Sequence, residues 1–158
     1  MNKETVYLET TVVSYLTARL SRDVVVVAHQ QITEEWWQTR VHAYDVFVSE
    51  LVIQEAAQGD PRAVEKRLEA IRHFSILEIT AEAEALAAKY LRRIPILRKA
   101  VRDALHLAIA VSSGMDYLVT WNCAHIARAE VRRALEGIND EDSIATPTIC
   151  TPEELLGG

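Results

Sequence analysis

The sequence predicts an α/β domain built on a mainly parallel sheet. Two patterns carry this: five short β-branched or apolar runs alternate with longer segments of helical spacing, and the first, second and fourth runs are near-continuously apolar, as strands covered on both faces tend to be. The size agrees, because a chain of 158 residues, 49% hydrophobic and 25% charged, can bury one core. Residues 1–158 are therefore read as one domain.

Taken in order, "TVYLE" (5–9) is the first strand. The segment "RDVVVVAHQQITEEWWQTR" carries four valines that favour a strand, but Ala28, Ile32 and Trp36 recur at i, i+4, i+8, and it is read as a helix. Trp36 and Trp37 leave such a helix about 100° apart, so one is expected inside and the other over a partner surface. "VFVS" (46–49) is the second strand, followed by helical segments Leu51 to Gln58 and Ala63 to Arg72, with Gly59-Asp60-Pro61 as the turn between them. "FSILEI" (74–79) is the third strand. Helices are expected over Ala81 to Arg92 and Asp103 to Ser113, the latter closed by Gly114. "YLVTW" (117–121) is the fourth strand, then a helix over Ala124 to Leu135, then Gly137 with "NDED" as a turn signal, and "PTIC" (147–150) as the fifth strand.

Composition excludes several classes. A net charge of −6 argues against a broad basic surface, so any nucleic-acid contact must be local. Cys123 and Cys150 fall in different elements without CxxC spacing, which suggests neither a disulfide framework nor a zinc site. No apolar run approaches the roughly 20 residues of a membrane span, and "MNKETVYLET" enters a strand pattern without a signal-peptide core. A soluble, cytoplasmic protein is expected, with no membrane partner.

The acids are placed unusually. Ligands of open α/β sheets collect at the carboxyl ends of the strands, and there Glu9 closes the first strand while Asn122 follows the fourth. Glu55 shares the apolar stripe of Leu51, Val52 and Ala56, and Asp103 opens a helix whose inward stripe includes Leu107, Ala110 and Val111. Buried carboxylates are costly unless paired, hydrogen-bonded or on a metal. Three inward acids with no matching inward lysine point to a divalent cation. Each residue also has a structural alternative: Asp103 as an acid favoured by a helix dipole, Asn122 as an N-cap, Glu55 as a half-exposed helical acid, Glu9 as an acceptor from a helix start. It is their joint placement that favours a site.

These residues resemble the PIN-domain ribonucleases, and in particular the VapC-type toxins of type II toxin-antitoxin pairs. The resemblance rests on "YLETTVVSYL", "VSELVIQEAAQGD" and "RDALHLAIAVSSGMDYLVTWN", in that order and at those separations, and covers nearly the whole chain. It implies a three-layer α/β/α sandwich with a five-stranded sheet in the order 3-2-1-4-5. Glu9 stands where the family has an aspartate before Thr or Ser, Glu55 and Asp103 match its second and third acids, and Thr120-Trp121-Asn122 replaces a Thr-x-Asp pattern. The departures are an extra methylene at Glu9 and a neutral amide at Asn122.

The resemblance implies a magnesium- or manganese-dependent endoribonuclease whose catalytic and metal residues are Glu9, Glu55, Asp103 and Asn122, the last through its carbonyl oxygen or a water. Its implied partners are an RNA, with tRNA as a candidate, a cognate antitoxin and a second copy of the chain. Arg98, Lys99 and Arg102, or Arg128, Arg132 and Arg133, are candidate phosphate contacts, with solvated helix faces as the plainer reading. His106 and His125 are read as packed or solvated rather than as ligands. Two alternatives remain: a catalytically impaired PIN fold that binds RNA or protein, and a HAD-like phosphohydrolase, which the Glu9 and Thr11 positions fit poorly.

Overall fold

In strand β1 (Thr5–Leu8) the residues Val6, Tyr7 and Leu8 expose no surface, as an apolar run covered on both faces requires. The computed structural model, which describes residues 2–157, places β1 at the centre of a five-stranded sheet in the order β3-β2-β1-β4-β5. All four pairings are parallel, with Val6 beside Val46 of β2 (Asp45–Ser49) and Tyr117 of β4 (Tyr117–Val119). Strands β3 (Ser75–Leu77) and β5 (Thr148–Cys150) form the edges.

Parallel neighbours need crossovers, and every one here is helical. Between β1 and β2 run α1 (Thr10–Thr17) and α2 (Val24–Thr39). The second crossover is α3 (Glu50–Ala56) with α4 (Pro61–Ile71), and the third α5 (Ala81–Arg93) with α6 (Val101–Ser112). Helix α7 (Ala129–Glu141) leads to β5. The result is the three-layer α/β/α sandwich expected. After β3 the chain returns to the far side of β1, so the carboxyl ends of β1 and β4 form the switch-point crevice.

Local chemistry sets the helix starts. Asp23 accepts from the amides of Val25 and Val26, Asp60 from those of Arg62 and Ala63 with Pro61 at the first helical position, and Ser49 and Thr80 cap α3 and α5. Gly59 stands between α3 and α4 at φ +104°, a conformation that a side chain would strain. Helix α6 is buried on nearly its whole circumference, from Ala104 through Val111 with only Leu105 partly exposed, and it packs against α5.

Several expectations change. Strand β1 ends at Leu8, and Glu9 belongs to the start of α1, a helix that the periodicity of "TTVVSYLT" is too short to announce. Helix α2 forms, but it buries Gln30, Thr33 and Trp36 while Ala28 faces solvent, because polar Gln30 and Thr33 find hydrogen-bond partners within the protein. Trp36 is fully buried, as one of the pair was expected to be, and half-buried Trp37 packs edge-on against Phe74, 5.6 Å between ring centres. The last helix starts at Ala129, not Ala124, since residues 123–127 form turns pinned by Asn122.

Candidate active site

Glu9, Glu55, Asp103 and Asn122 all line one cleft of about 440 Å³, together with Thr10, Thr11, Tyr15 and Arg102. They arrive from four elements: the ends of β1 and β4, the last turn of α3 and the first turn of α6. The joint placement expected from the sequence is therefore found.

Glu9 is only 4% exposed. Its Oε1 accepts from the Thr11 amide at 3.2 Å, the Thr11 hydroxyl at 2.5 Å and the Thr120 hydroxyl at 2.7 Å. The carboxylate thus caps α1 with one oxygen. The other, Oε2, accepts no hydrogen bond among the described residues and lies 4.0 Å from His106 Nε2. The carboxylate at Glu9 therefore caps its own helix and still presents one oxygen to the cleft.

Glu55 uses Oε1 twice, accepting from Thr10 Oγ1 at 2.5 Å and from His106 Nε2 at 2.7 Å. Arg102 stands 3.6 Å from its Oε2. Burial raises the Glu55 carboxyl, but the hydrogen bonds from His106 and Thr10 and the nearby Arg102 charge hold the group below the usual glutamate range. Glu55 is an anion at neutral pH.

Asp103 accepts from Asn122 Nδ2 at Oδ1, 3.0 Å, and its Oδ2 lies 2.9 Å from His125 Nδ1. Asn122 Oδ1 accepts from the His125 amide at 3.0 Å. That backbone donor fixes the orientation of the amide, so the Asn122 carbonyl serves the turn at 123–127 and its nitrogen faces Asp103. Asn122 thus holds Asp103 through its amide nitrogen.

The residues present fit a hard divalent cation. Glu9 Oε2 and Glu55 Oε2 are carboxylate oxygens that accept no hydrogen bond among the described residues, and Asp103 supplies a third carboxylate on the same cleft, an all-oxygen set of the kind Mg²⁺ and Mn²⁺ take. Glu9, Glu55 and His106 place donor atoms within 4.8 Å of one another, and Asp103 lies outside that tightest group.

Sequence reasoning read both histidines as packed or solvated and missed their contacts with the site carboxylates. His106 is fully buried behind Glu55, and half-exposed His125 is on Asp103. Their spacing of three residues from Asp103 and from Asn122 was the available signal. Thr10, Thr11 and Thr120 each hold a site carboxylate.

An open parallel sheet with carboxylates gathered at its switch point defines a class of α/β domains with an acidic crevice. Comparison makes this specific: the PIN domain profile matches residues 6–122. The chain belongs to the PIN domain family. No curated protein matches by sequence. Among solved structures it is similar to VapC20 of Mycobacterium tuberculosis, described as a Sarcin-Ricin loop cleaving toxin, with a TM-score of 0.55 and 16% identity over 72% of this chain and 86% of that one. It is also similar to VapBC2 of Rickettsia felis bound to a DNA fragment from their promoter, with a TM-score of 0.51 and 12% identity over 93% and 98% of the two chains. Family membership displaces the HAD-like reading. Thr11, where that reading needs an aspartate, donates to Glu9.

Proposed function

We propose that this protein is a metal-dependent endoribonuclease and the toxin of a toxin-antitoxin pair. The observation that carries the reading is a single cleft gathering three carboxylates, Glu9, Glu55 and Asp103, against one arginine or lysine on its lining, Arg102. A bound Mg²⁺ or Mn²⁺ would neutralise charge at the scissile phosphate and acidify an attacking water. Glu9 and Asp103 hold the cation, Glu55 binds it or orients the water through Oε2, and Asn122 and His125 fix Asp103. Membership of the PIN family and the likeness to VapC20 support cleavage of RNA, and the likeness to VapBC2 supports a cognate antitoxin as partner. Leu20, Val24 and Val25, each 59–78% exposed, give the corner between α1 and α2 an apolar surface suited to a protein cover. No helix among the described residues is long and apolar enough to cross a membrane.

The test is incubation with tRNA and with total RNA in Mn²⁺ and in EDTA. Cleavage in Mn²⁺ that EDTA abolishes is the expected result. RNA bound but left intact in both would favour the second reading, an impaired binding module, for which the neutral amide of Asn122 beside Asp103 is the specific support.

The path of the RNA has a local basis. One helical turn beyond cleft residue Ser14, and two residues past Gln58, a cavity of about 730 Å³ is lined by Arg19, Arg62 and Lys66. None of these three is in an ion pair among the described residues. The only acid there, Asp60, is spent on capping α4. Arg132 and Arg133, by contrast, share their cavity with Glu136 and Asp140. Replacing Arg19, Arg62 and Lys66 together with alanine should weaken binding of fluorescent single-stranded RNA in EDTA and flatten its log–log salt dependence by about 2, as three lost phosphate contacts would. An unchanged slope would take this cavity off the RNA path.

A further inference from the structure

Behind the cleft a chain of three buried polar groups that the proposed reaction does not use ends on Glu55. Ser49 Oγ accepts from the Val52 amide at 3.1 Å and lies 2.7 Å from the Tyr7 hydroxyl. The Tyr7 hydroxyl is 2.7 Å from His106 Nδ1, and His106 Nε2 is 2.7 Å from Glu55 Oε1. Tyr7, Ser49 and His106 expose no surface at all. Protons in such a place need acceptors.

Counting them leaves one arrangement. Among the described residues the Ser49 hydroxyl has no acceptor other than Tyr7 Oη, so Ser49 donates to Tyr7. The single Tyr7 proton then goes to His106 Nδ1, which must carry a lone pair. The imidazole proton is therefore on Nε2 and is donated to Glu55. The opposite tautomer would strand one hydroxyl proton, that of Ser49 or that of Tyr7, and set the Nε2 lone pair against a carboxylate oxygen. Two protons on the ring would strand one hydroxyl proton as well.

From this geometry we infer that His106 is a positioning residue for Glu55, locked by the Ser49–Tyr7 relay as the Nε2–H tautomer, and not a metal ligand despite its place beside Glu9 and Glu55. Held at Oε1 by His106 and Thr10, Glu55 meets the cleft with Oε2 alone. A buried donor on a site carboxylate is the type of support that fixes ligand orientation in metal sites. The assignment of a metal-positioning role rests on the metal reading of the cleft, but the tautomer does not.

Two measurements on the full chain separate the two. Long-range ¹H–¹⁵N spectra of the wild-type protein in EDTA should give His106 the pattern of an imidazole protonated at Nε2, and Mg²⁺ should leave it unchanged. Tyr7→Phe should mix the tautomers. A proton on Nδ1 in EDTA, or a switch to Nδ1 on adding Mg²⁺, overturns the inference and makes Nε2 a ligand. Mn²⁺ calorimetry supplies the second readout: His106→Leu should lose about 10–100-fold in affinity, as removal of such supports does, while His106→Gln, which keeps a donor at that reach, should recover most of it. Equal affinities for wild type and His106→Leu, with both folded in EDTA, would refute the positioning role. If His106→Leu does not fold, the wild-type and Tyr7→Phe spectra decide. If the wild type binds no Mn²⁺, the positioning role falls with the proposed activity, and the tautomer is still read.

Discussion

Asp103→Asn is expected to reduce metal-dependent RNA cleavage by at least about 10²–10³-fold, the usual loss when one charge-stabilising group is removed from an active site. The reason lies in the neighbours of Asp103. Its carboxylate accepts from Asn122 on one oxygen and faces His125 with the other. An amide there has one acceptor oxygen and an NH₂ group, which must point at the donor of Asn122 or at the His125 ring. The variant therefore loses a ligand charge and the alignment of whatever oxygen remains. Asp103 is half-buried in the first turn of α6, a helix held elsewhere by apolar packing, so the fold should survive. Melting in EDTA serves as the control. Cleavage that persisted in both Asp103→Asn and EDTA would sink the mechanism.

The site was legible because topology made it so. Acids ending β1 and standing on the core-facing sides of α3 and α6 must converge at a switch point once the strand order is 3-2-1-4-5, and the strands were readable from near-continuous apolar runs. Hydrogen-bond direction was readable only in part. The N-cap reading of "VTWNCAHIARAEV" already turns the Asn122 carbonyl to the His125 amide, but it does not say that this closes a turn with α7 delayed until Ala129, or that the amide nitrogen is left for Asp103. The same limit hid His106. A lone histidine on an apolar stripe reads as packing, and it is packing; its chemistry depends on Tyr7 and Ser49, which are 99 and 57 residues distant and reach it only through the pairing of β1 with β2. Helix α2 failed in its face for a related cause: Gln30 turns inward because the Ser21 amide and the Arg19 carbonyl satisfy both ends of its amide.

The Asn122 position also decides how many cations the cleft holds. With three carboxylates and an amide, the wild type should titrate with one Mn²⁺, because it is like-charged ligands that hold two cations close together; two equally tight sites would contradict this. In Asn122→Asp the new carboxylate keeps one oxygen on the His125 amide, but the other replaces an N–H donor with an anion about 3 Å from Asp103 Oδ1. Losing a hydrogen bond to a charged group and adding repulsion should cost about 1–3 kcal/mol in EDTA. A cation placed between the two carboxylates reverses the sign. The variant should therefore melt several degrees below wild type in EDTA, gain more from saturating Mn²⁺ than wild type does, and show a second binding event in calorimetry. A variant as stable as wild type in EDTA would mean that the Asn122 amide is not what offsets the Asp103 charge. His125 would then be the group holding that carboxylate.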